Sequence, residues 1–517
     1  MIGWRGAPNA AKTRGFALLA AAIAALALAG CGSSSDGGGG EEANLTGSGF
    51  PGIDAANTRQ AQGTIDSSNV TSLAQAWTAP IPGVSAFGSY ASTPVIDKGV
   101  IYSQDLASNV QALSLDTGEV LWTRSYEQAS YGPNGVVVAD GSVFGTTPTE
   151  AFALDQKTGK QLWSTILPRN EHEGIDMAPG YRDGMVYVST VPVNATESYQ
   201  GGGVGILWAL DAKTGKKLWH FDTVPKDLWG NPSVNSGGGV WYPPAFDEKG
   251  GMYFGTGNPA PFPGAPKFPY GSSRPGPNLY TNSLIKLDAK TGKMDWYHQV
   301  TPHDIYDWDF QGPPIVMKVG GKQAVVAAGK SGIVLAADRE TGKVIWQRKV
   351  GKHNGHDDDG LLAMRGETSK LKTPVTVYPG TLGGVIAPMS TDGSTVFVPV
   401  VNNPQELVSG TEKQEPGPIT GEIVALDAAT GKVKWSEELG SAAFGATTVV
   451  NDLVFVTTYE GTVSAFTADS GQVVWREKLP AGSNSGVSVD GDTLVAPAGV
   501  AAGAGQVAKI VAYRVGG

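Results

Sequence analysis

Trp208-Ala-Leu-Asp-Ala-Lys-Thr-Gly-Lys-Lys-Leu-Trp219 is the stretch from which the fold of this chain can be read. The apolar run through Leu210 reads as the end of a strand. Asp211 to Gly215 reads as a turn in which Gly215 supplies the positive-φ position, and Trp219 opens the next antiparallel strand. Aligned on the Thr/Ser-Gly turn, the pattern recurs seven times, closing at Trp122, Trp163, Trp219, Trp296, Trp346, Trp435 and Trp475. A small residue precedes the turn at Ala112, Ala153, Ala209, Ala336, Ala425 and Ala465, with Lys286 the exception. A small side chain there leaves room for a neighbouring indole to lie flat, and the indole N–H then needs a carbonyl partner.

An eighth tryptophan, Trp77, precedes the first full copy, and the chain ends in a lone strand over 508–515 with no turn or tryptophan after it. Pairing these ends makes the N-terminal strand the outer strand of a last blade and removes exposed sheet edges. The expected fold is therefore all-β, an eight-bladed β-propeller built of tryptophan-docking repeats and closed by its N-terminal strand. A seven-bladed ring with a stray N-terminal strand is the alternative. Most tryptophan-to-tryptophan intervals are 40 to 56 residues, but Trp219 to Trp296 spans 77 and Trp346 to Trp435 spans 89. Long insertions in a regular array are where binding loops are expected.

The first 30 residues read as a secretory signal: a basic head (Arg5, Lys12, Arg14), an Ala/Leu core over 16–29, and Leu28-Ala29-Gly30-Cys31 resembling a bacterial lipobox. Cys31 would be lipidated, and the Gly/Ser-rich stretch over 31–49 would be a flexible tether to a propeller over 50–517. The expected location is the outer face of a bacterial membrane, with the lipid as the only membrane contact. Cys31 is the single cysteine, so the body has no internal disulfide, no thiolate metal site and no Cys-x-x-Cys-His haem attachment. A formal charge of −10, with Gly 72 and Trp 13, argues against a nucleic-acid partner.

Residues 50–77, Phe-Pro-Gly-Ile-Asp-Ala-Ala-Asn-Thr-Arg through Ala76-Trp77, together with the Ala-x-Asp-x-x-Thr-Gly-x-x-x-Trp repeat, resemble the pyrroloquinoline-quinone (PQQ) alcohol dehydrogenases. The resemblance runs from about residue 50 to the C-terminus. It implies PQQ held with calcium or a lanthanide over the central channel, a small alcohol or sugar as substrate, and a separate electron acceptor. Similar repeats also build non-enzymatic lipoprotein propellers, including an outer-membrane assembly factor, so a binding or envelope-assembly scaffold stands as the alternative function.

By this resemblance Trp241, in Gly237-Gly-Gly-Val-Trp241, forms the floor under the quinone, and Asn258, in Gly-Thr-Gly-Asn258-Pro, ligates the metal. An indole face suits a planar cofactor, and an amide carbonyl suits a hard cation. Thr301-Pro-His-Asp-Ile-Tyr-Asp307-Trp-Asp309 is similar to the family's catalytic strand, with Tyr306 in place of a tryptophan. The match makes Asp307 the catalytic base and a metal ligand, and Asp309 the added ligand of the lanthanide branch, on the same strand face. Asp304, Asp307 and Asp309 repel one another unless a cation or burial separates their titrations. Lys330, in Ala327-Ala-Gly-Lys330-Ser-Gly332, falls where the family polarises the reduced quinone carbonyl.

Three departures accompany the match. Gln200 stands where the family has its metal-binding glutamate, Val385 and Ile386 replace an Asn-Trp pair in the 381–388 loop, and the adjacent-cysteine disulfide cannot form. Elsewhere, Lys352-His-Asn-Gly-His-Asp-Asp-Asp-Gly360 reads as a solvated acidic loop, with metal ligation as the alternative, and Glu171-His172-Glu173 reads as a surface turn.

Overall fold

The computed structural model describes residues 49–193 and 201–516. The signal, Cys31, all but the last residue of the tether, and Gln200 lie outside the described residues. Between Ala43 and Gly517 the chain forms one compact unit. It is an all-β, propeller-like assembly of antiparallel sheets, with a single α-helix, Asp359–Met364, among the described residues. Among the described residues, eight of the sheets have four strands each. The third is typical: Gly180–Arg182, Met185–Ser189, Ile206–Asp211 and Lys217–Asp222 pair in chain order. Its first two strands and Ile206–Asp211 are almost wholly buried, whereas Lys217–Asp222 is exposed or half-buried throughout. The four-stranded sheets run from a mostly buried strand at one edge to a more exposed strand at the other. The core lies between the faces of successive sheets, as where Tyr253 and Leu284 meet Val325, Ala327 and Leu335.

The repeat works between neighbours. Gly215 has φ +70°, as its turn requires, and a Cβ there would stand 2.6 Å from the Trp163 ring. The ring of each preceding copy lies on the glycine of the next, as Trp122 does on Gly159 and Trp346 on Gly431. The space for the indole is thus made by glycine; the alanine ahead of the turn is the cross-strand partner of its own tryptophan, as Ala209 is of Trp219. Asp211 Oδ1 accepts the Thr214 amide at 2.8 Å and the Thr214 hydroxyl at 2.7 Å, which fixes the turn and explains the Asp-x-x-Thr spacing. These bonds hold the Asp211 carboxyl below its ordinary range, Thr214's hydroxyl contributing most.

The indole N–H expectation holds at Trp77, Trp122, Trp163, Trp296, Trp346 and Trp435, which donate to the carbonyls of Leu115, Gln156, Ala212, Arg339, Ala428 and Ala468. It fails at Trp219, whose buried Nε1 has no partner. The equivalent carbonyl, that of Ala289, instead accepts the Tyr187 hydroxyl at 3.0 Å. At the termini, Leu73–Pro80 pairs with Lys509–Val515 and completes the sheet of Ser488–Asp490 and Thr493–Ala498. The indole of Trp77 in that strand reaches the first full copy through Leu115.

Candidate active site

The two stretched intervals carry extra structure above the four-stranded sheets. Ser236–Gly237 pairs with Pro259–Ala260, and Val375–Val377, Gln405–Leu407 and Lys413–Gln414 form a small sheet of their own. Trp241 lies in the connection leading to Ala245–Phe246, and Asn258 follows the strand Gly251–Gly255. Asp307 and Asp309 lie between Met294–Gln299 and Ile315–Val319, and Lys330 lies in the turn after Lys322–Ala328. All five line one cavity of about 720 Å³.

At its floor the Lys330 ammonium lies between two carboxylates, 3.1 Å from Asp307 Oδ2 and 2.5 Å from Asp309 Oδ2. Asp309 Oδ1 accepts the backbone N–H of Asn258 at 2.6 Å. The Lys330 amide donates to the Asp309 carbonyl at 2.8 Å, so the two segments are stitched by backbone as well as by charge. One ammonium can neutralise only one of two buried carboxylates. Burial pushes the Asp307 carboxyl up; Lys330 pulls it down, and repulsion from Asp309 adds to the rise. Burial by itself would lower the Lys330 ammonium, but the two carboxylates more than reverse this and hold it protonated. Burial thus favours the protonated form of the Asp307 carboxyl against the pull of Lys330.

The reason Asp307 and Asp309 converge is not the one the sequence suggests. Residues 301–310 form no strand. Asp307 instead adopts φ +66°, a conformation uncommon outside glycine that must be held from both sides. Asp304 does not join the carboxylate pair. Its buried side chain accepts the amides of Tyr306 at 2.7 Å and Trp308 at 2.6 Å and the Asn282 amide group at 3.0 Å. The Tyr306 hydroxyl donates to Asp359 Oδ2 at 2.5 Å, and the Trp308 indole donates to the Pro379 carbonyl at 3.0 Å. Burial and the Asp359 carboxylate keep the Tyr306 phenol protonated.

The 352–360 segment is solvated only in part: Lys352, Asn354, Gly355 and Asp358 are exposed, whereas Asp359 and Gly360 are buried. His356 Nδ1 lies 2.8 Å from Asp359, and His353 Nδ1 lies 2.7 Å from Asp357, which also meets Lys349. Gly360 packs so closely on the His303 carbonyl that a Cβ would overlap it. The segment straps the Asp307 loop from behind. Similarly, Glu173 is buried and accepts the Arg169 amide at 2.7 Å, whereas Glu171 and His172 lie in a turn with exposed side chains, as expected.

Glycine sets the approach of the other walls. A Cβ at Gly257 would lie 2.8 Å from Asp309 Oδ1 and 3.1 Å from Trp241 Nε1, so carboxylate and indole come together over this residue. Gly384, at φ +69°, leaves no room for a Cβ against the Lys330 backbone, and Val385 N–H donates to the Gly329 carbonyl at 3.0 Å. The 381–388 loop therefore buttresses Lys330. Val385 belongs to the core behind it, and Ile386, Thr381 and Leu382 face the cavity. Two groups of residues escaped the sequence reading. Lys413, on the small sheet, brings a second ammonium to the wall, donating to Thr381 Oγ1 at 2.7 Å and meeting Glu415 at 3.0 Å. Phe87, Tyr131 and Phe444, from connections between sheets, and Tyr459, from the hairpin between Leu453–Thr457 and Thr462–Thr467, also line the wall. The 89-residue interval was a signal for Lys413; nothing in the repeat pointed to the aromatics.

The family model described as glucose/ethanol/alcohol dehydrogenase, β-propeller domain, matches residues 176–354, which hold all five candidate residues. A second, described as outer membrane protein assembly factor BamB, matches residues 106–242 and 368–515. The quinohemoprotein alcohol dehydrogenase of Comamonas testosteroni is 29% identical over 89% of this chain and 73% of its own length. Its crystal structure superposes with a TM-score of 0.77 at 26% identity, covering 90% of this chain and 80% of that one. The chain belongs to the PQQ-dependent alcohol dehydrogenase β-propeller family. Another family member, the lanthanide-dependent methanol dehydrogenase of Methylorubrum extorquens, is 27% identical over 83% of this chain and 82% of its own length.

The residues present fit the family's cofactor. The cavity falls in the size range of small-molecule sites, and Trp241 gives it an aromatic wall. The Asn258 amide oxygen and two carboxylates are donors suited to a hard cation. Among the described residues no group of three or more His, Cys, Asp or Glu side chains could hold a metal, so a cation here would rest on Asn258, Asp307 and Asp309.

Proposed function

We propose that the protein is a PQQ-dependent dehydrogenase that oxidises an alcohol at the floor of this cavity, on an eight-bladed ring closed by the strand Leu73–Pro80. The observation that carries this reading is the meeting of Trp241, Asn258, Asp307, Asp309 and Lys330 on one cavity wall, with Lys330 bonded to both carboxylates. The quinone, when bound with calcium or a lanthanide, supplies the two-electron acceptor for the carbinol hydrogen. Asn258, Asp307 and Asp309 would hold the cation, and Trp241 would give the ring its flat wall. Asp307, when ionised, accepts the hydroxyl proton; a positioned base of this kind is worth about 10²–10⁴-fold. Lys330 holds Asp309 and presents its remaining N–H to oxygen on which negative charge develops. Electrons leave to a separate acceptor, and Cys31 would tether the protein by a lipid to the outer face of a membrane.

The test is reconstitution of the purified protein with PQQ and calcium or lanthanum, followed by dye reduction with alcohols and sugars. Asp307→Asn should lose at least about 10²-fold in kcat while still binding the quinone by absorbance. A scaffold reading is favoured by one observation, the longer match to the assembly-factor model. Absence of both quinone binding and dye reduction would decide for it.

A further inference from the structure

Exposure along the cavity wall rises from floor to mouth. Asp309, Asp307 and Lys330 are 2%, 7% and 8% exposed, whereas Phe87, Tyr131, Tyr459, Leu382 and Ile419 are 56%, 45%, 43%, 38% and 36% exposed. These five large apolar side chains come from widely separated parts of the chain, yet they border one opening. Two aromatic pairs brace them: Phe87 meets Tyr131 edge-on at 5.6 Å, and Phe444 meets Tyr459 edge-on at 5.4 Å. Large apolar side chains left in water and gathered at one place mark a binding surface. Among the polar side chains of the same wall, Thr381 is engaged with Gln405 and Lys413, and Lys413 with Glu415; Gln311, Ser441, Glu460 and Asn484 line the cavity as well.

We propose that the substrate is a bulky, apolar alcohol, aryl or long-chain alkyl, rather than a sugar or a short polyol. Its hydroxyl reaches Asp307 at the floor, and its hydrocarbon body lies against the collar of Phe87, Tyr131, Leu382, Ile419, Phe444 and Tyr459. A sugar would set several hydroxyls against the apolar faces of this collar, where fewer of them could replace their hydrogen bonds to water. An apolar body removes collar and ligand surface from water together. This proposal rests on the dehydrogenase reading of the same site, and the experiment below separates the two.

The holoenzyme, reconstituted with PQQ and calcium or lanthanum, is assayed with ethanol, 1-decanol, 2-naphthylmethanol, glycerol and glucose. In parallel, the non-oxidisable 2-naphthyl methyl ether is titrated into the protein without quinone, with tryptophan fluorescence as the readout. The expected result is kcat/KM at least 100-fold higher for 2-naphthylmethanol than for ethanol or glucose, carried by KM, and saturable binding of the ether. Phe87→Ala and Tyr459→Ala should each lower the naphthylmethanol-to-ethanol ratio about tenfold and weaken the ether by a similar factor. Leu121→Ala, on an outer strand far from the cavity in the sheet, should change neither. Activity that is equal across the panel or highest on glucose, with no ether binding, would overturn the proposal and leave the dehydrogenase reading intact. Ether binding that is lost in both collar variants, with no alcohol oxidised, would overturn the dehydrogenase reading while upholding the apolar ligand class.

Discussion

Replacement of Lys330 by methionine isolates the charge balance at the cavity floor. Methionine approximates the length of lysine but leaves Asp307 and Asp309, both nearly buried, without the ammonium that now lies within 3.1 Å of each. Removing one partner of a buried ion pair costs about 3–5 kcal/mol, because the survivor keeps its desolvation and loses its compensation. Here two survivors repel each other, which places the cost at the upper end of that range at about pH 8. The carboxylates can escape by taking up protons, and each unit of upward pKa shift is worth about 1.4 kcal/mol. Without the ammonium the downward pull on the Asp307 carboxyl is gone and burial raises it further, so the folded variant binds more protons than the unfolded chain in that window. Its stability must then rise as pH falls. Urea unfolding of both proteins with chelator present should show the deficit at about pH 8 and a much smaller one at about pH 5. Calcium or lanthanum should restore part of the loss at the higher pH, since a hard cation can take the place of the ammonium among Asn258, Asp307 and Asp309. A deficit that is the same at both pH values, or absent at the higher one, would refute the assignment of a single shared ammonium.

Three further outcomes follow from groups described above or packed beside them. Because burial raises the Asp307 carboxyl in the metal-free protein, binding of calcium or lanthanum there should displace a proton, so cation affinity should climb with pH through neutrality, and Asp307→Asn should lack this dependence in calorimetric titrations. Asp176, fully buried, accepts bonds from Ser130 Oγ and the Tyr131 amide, both at 3.0 Å, and burial pushes its carboxyl up to about 7. The folded state then binds the extra proton between the unfolded value of 3.8 and about 7, so stability should fall by about 4 kcal/mol as pH rises across that window; urea unfolding of Asp176→Asn should show this slope removed and greater stability at about pH 8. Tyr306→Phe removes the bond to Asp359, a contact of the class worth about 1.5–3 kcal/mol; kcat should fall at least tenfold with KM and quinone binding little changed, because the variant loosens the segment that holds Asp307. Asp359→Asn, which keeps an acceptor oxygen, should lie between the two in kcat.

The repeat was legible because it is a local rule. The Asp211–Thr214–Gly215 turn and the Trp–Gly contact need only fixed spacing, and spacing is visible in a sequence. The pairing of Leu73–Pro80 with the last strand followed from an unmatched tryptophan at one end and an unmatched strand at the other. The five candidate residues were reached through family resemblance, and the geometry that joins them was not. Asp307 and Asp309 were expected on one strand face, but a positive φ at Asp307 brings them to Lys330 instead. Nothing local announces that conformation. It is imposed by Asp304, Asp359 and Pro379, of which two lie more than fifty residues away along the chain. Trp219 shows the converse limit: its repeat is regular, yet Tyr187 takes the carbonyl that its indole would have used. Asp359 was read as part of a polar loop because its partner Tyr306 belongs to a different sheet connection, whereas the partners of His353 and His356 are local.

The pairing of Leu73–Pro80 with Lys509–Val515 also orders the assembly of the protein in time. A chain made from its N-terminus outward can form each of the other four-stranded sheets from contiguous sequence as that sequence emerges. The sheet that holds both ends must wait for nearly the last residue, with more than four hundred residues between its outer strand and the neighbour of that strand. Contacts of such long sequence separation are slow to form, and the edge of Lys509–Val515 stays open to other strands until they do. Completion of this sheet should therefore be the slow phase of refolding, and the stage at which a growing or refolding population is most exposed to strand exchange between molecules.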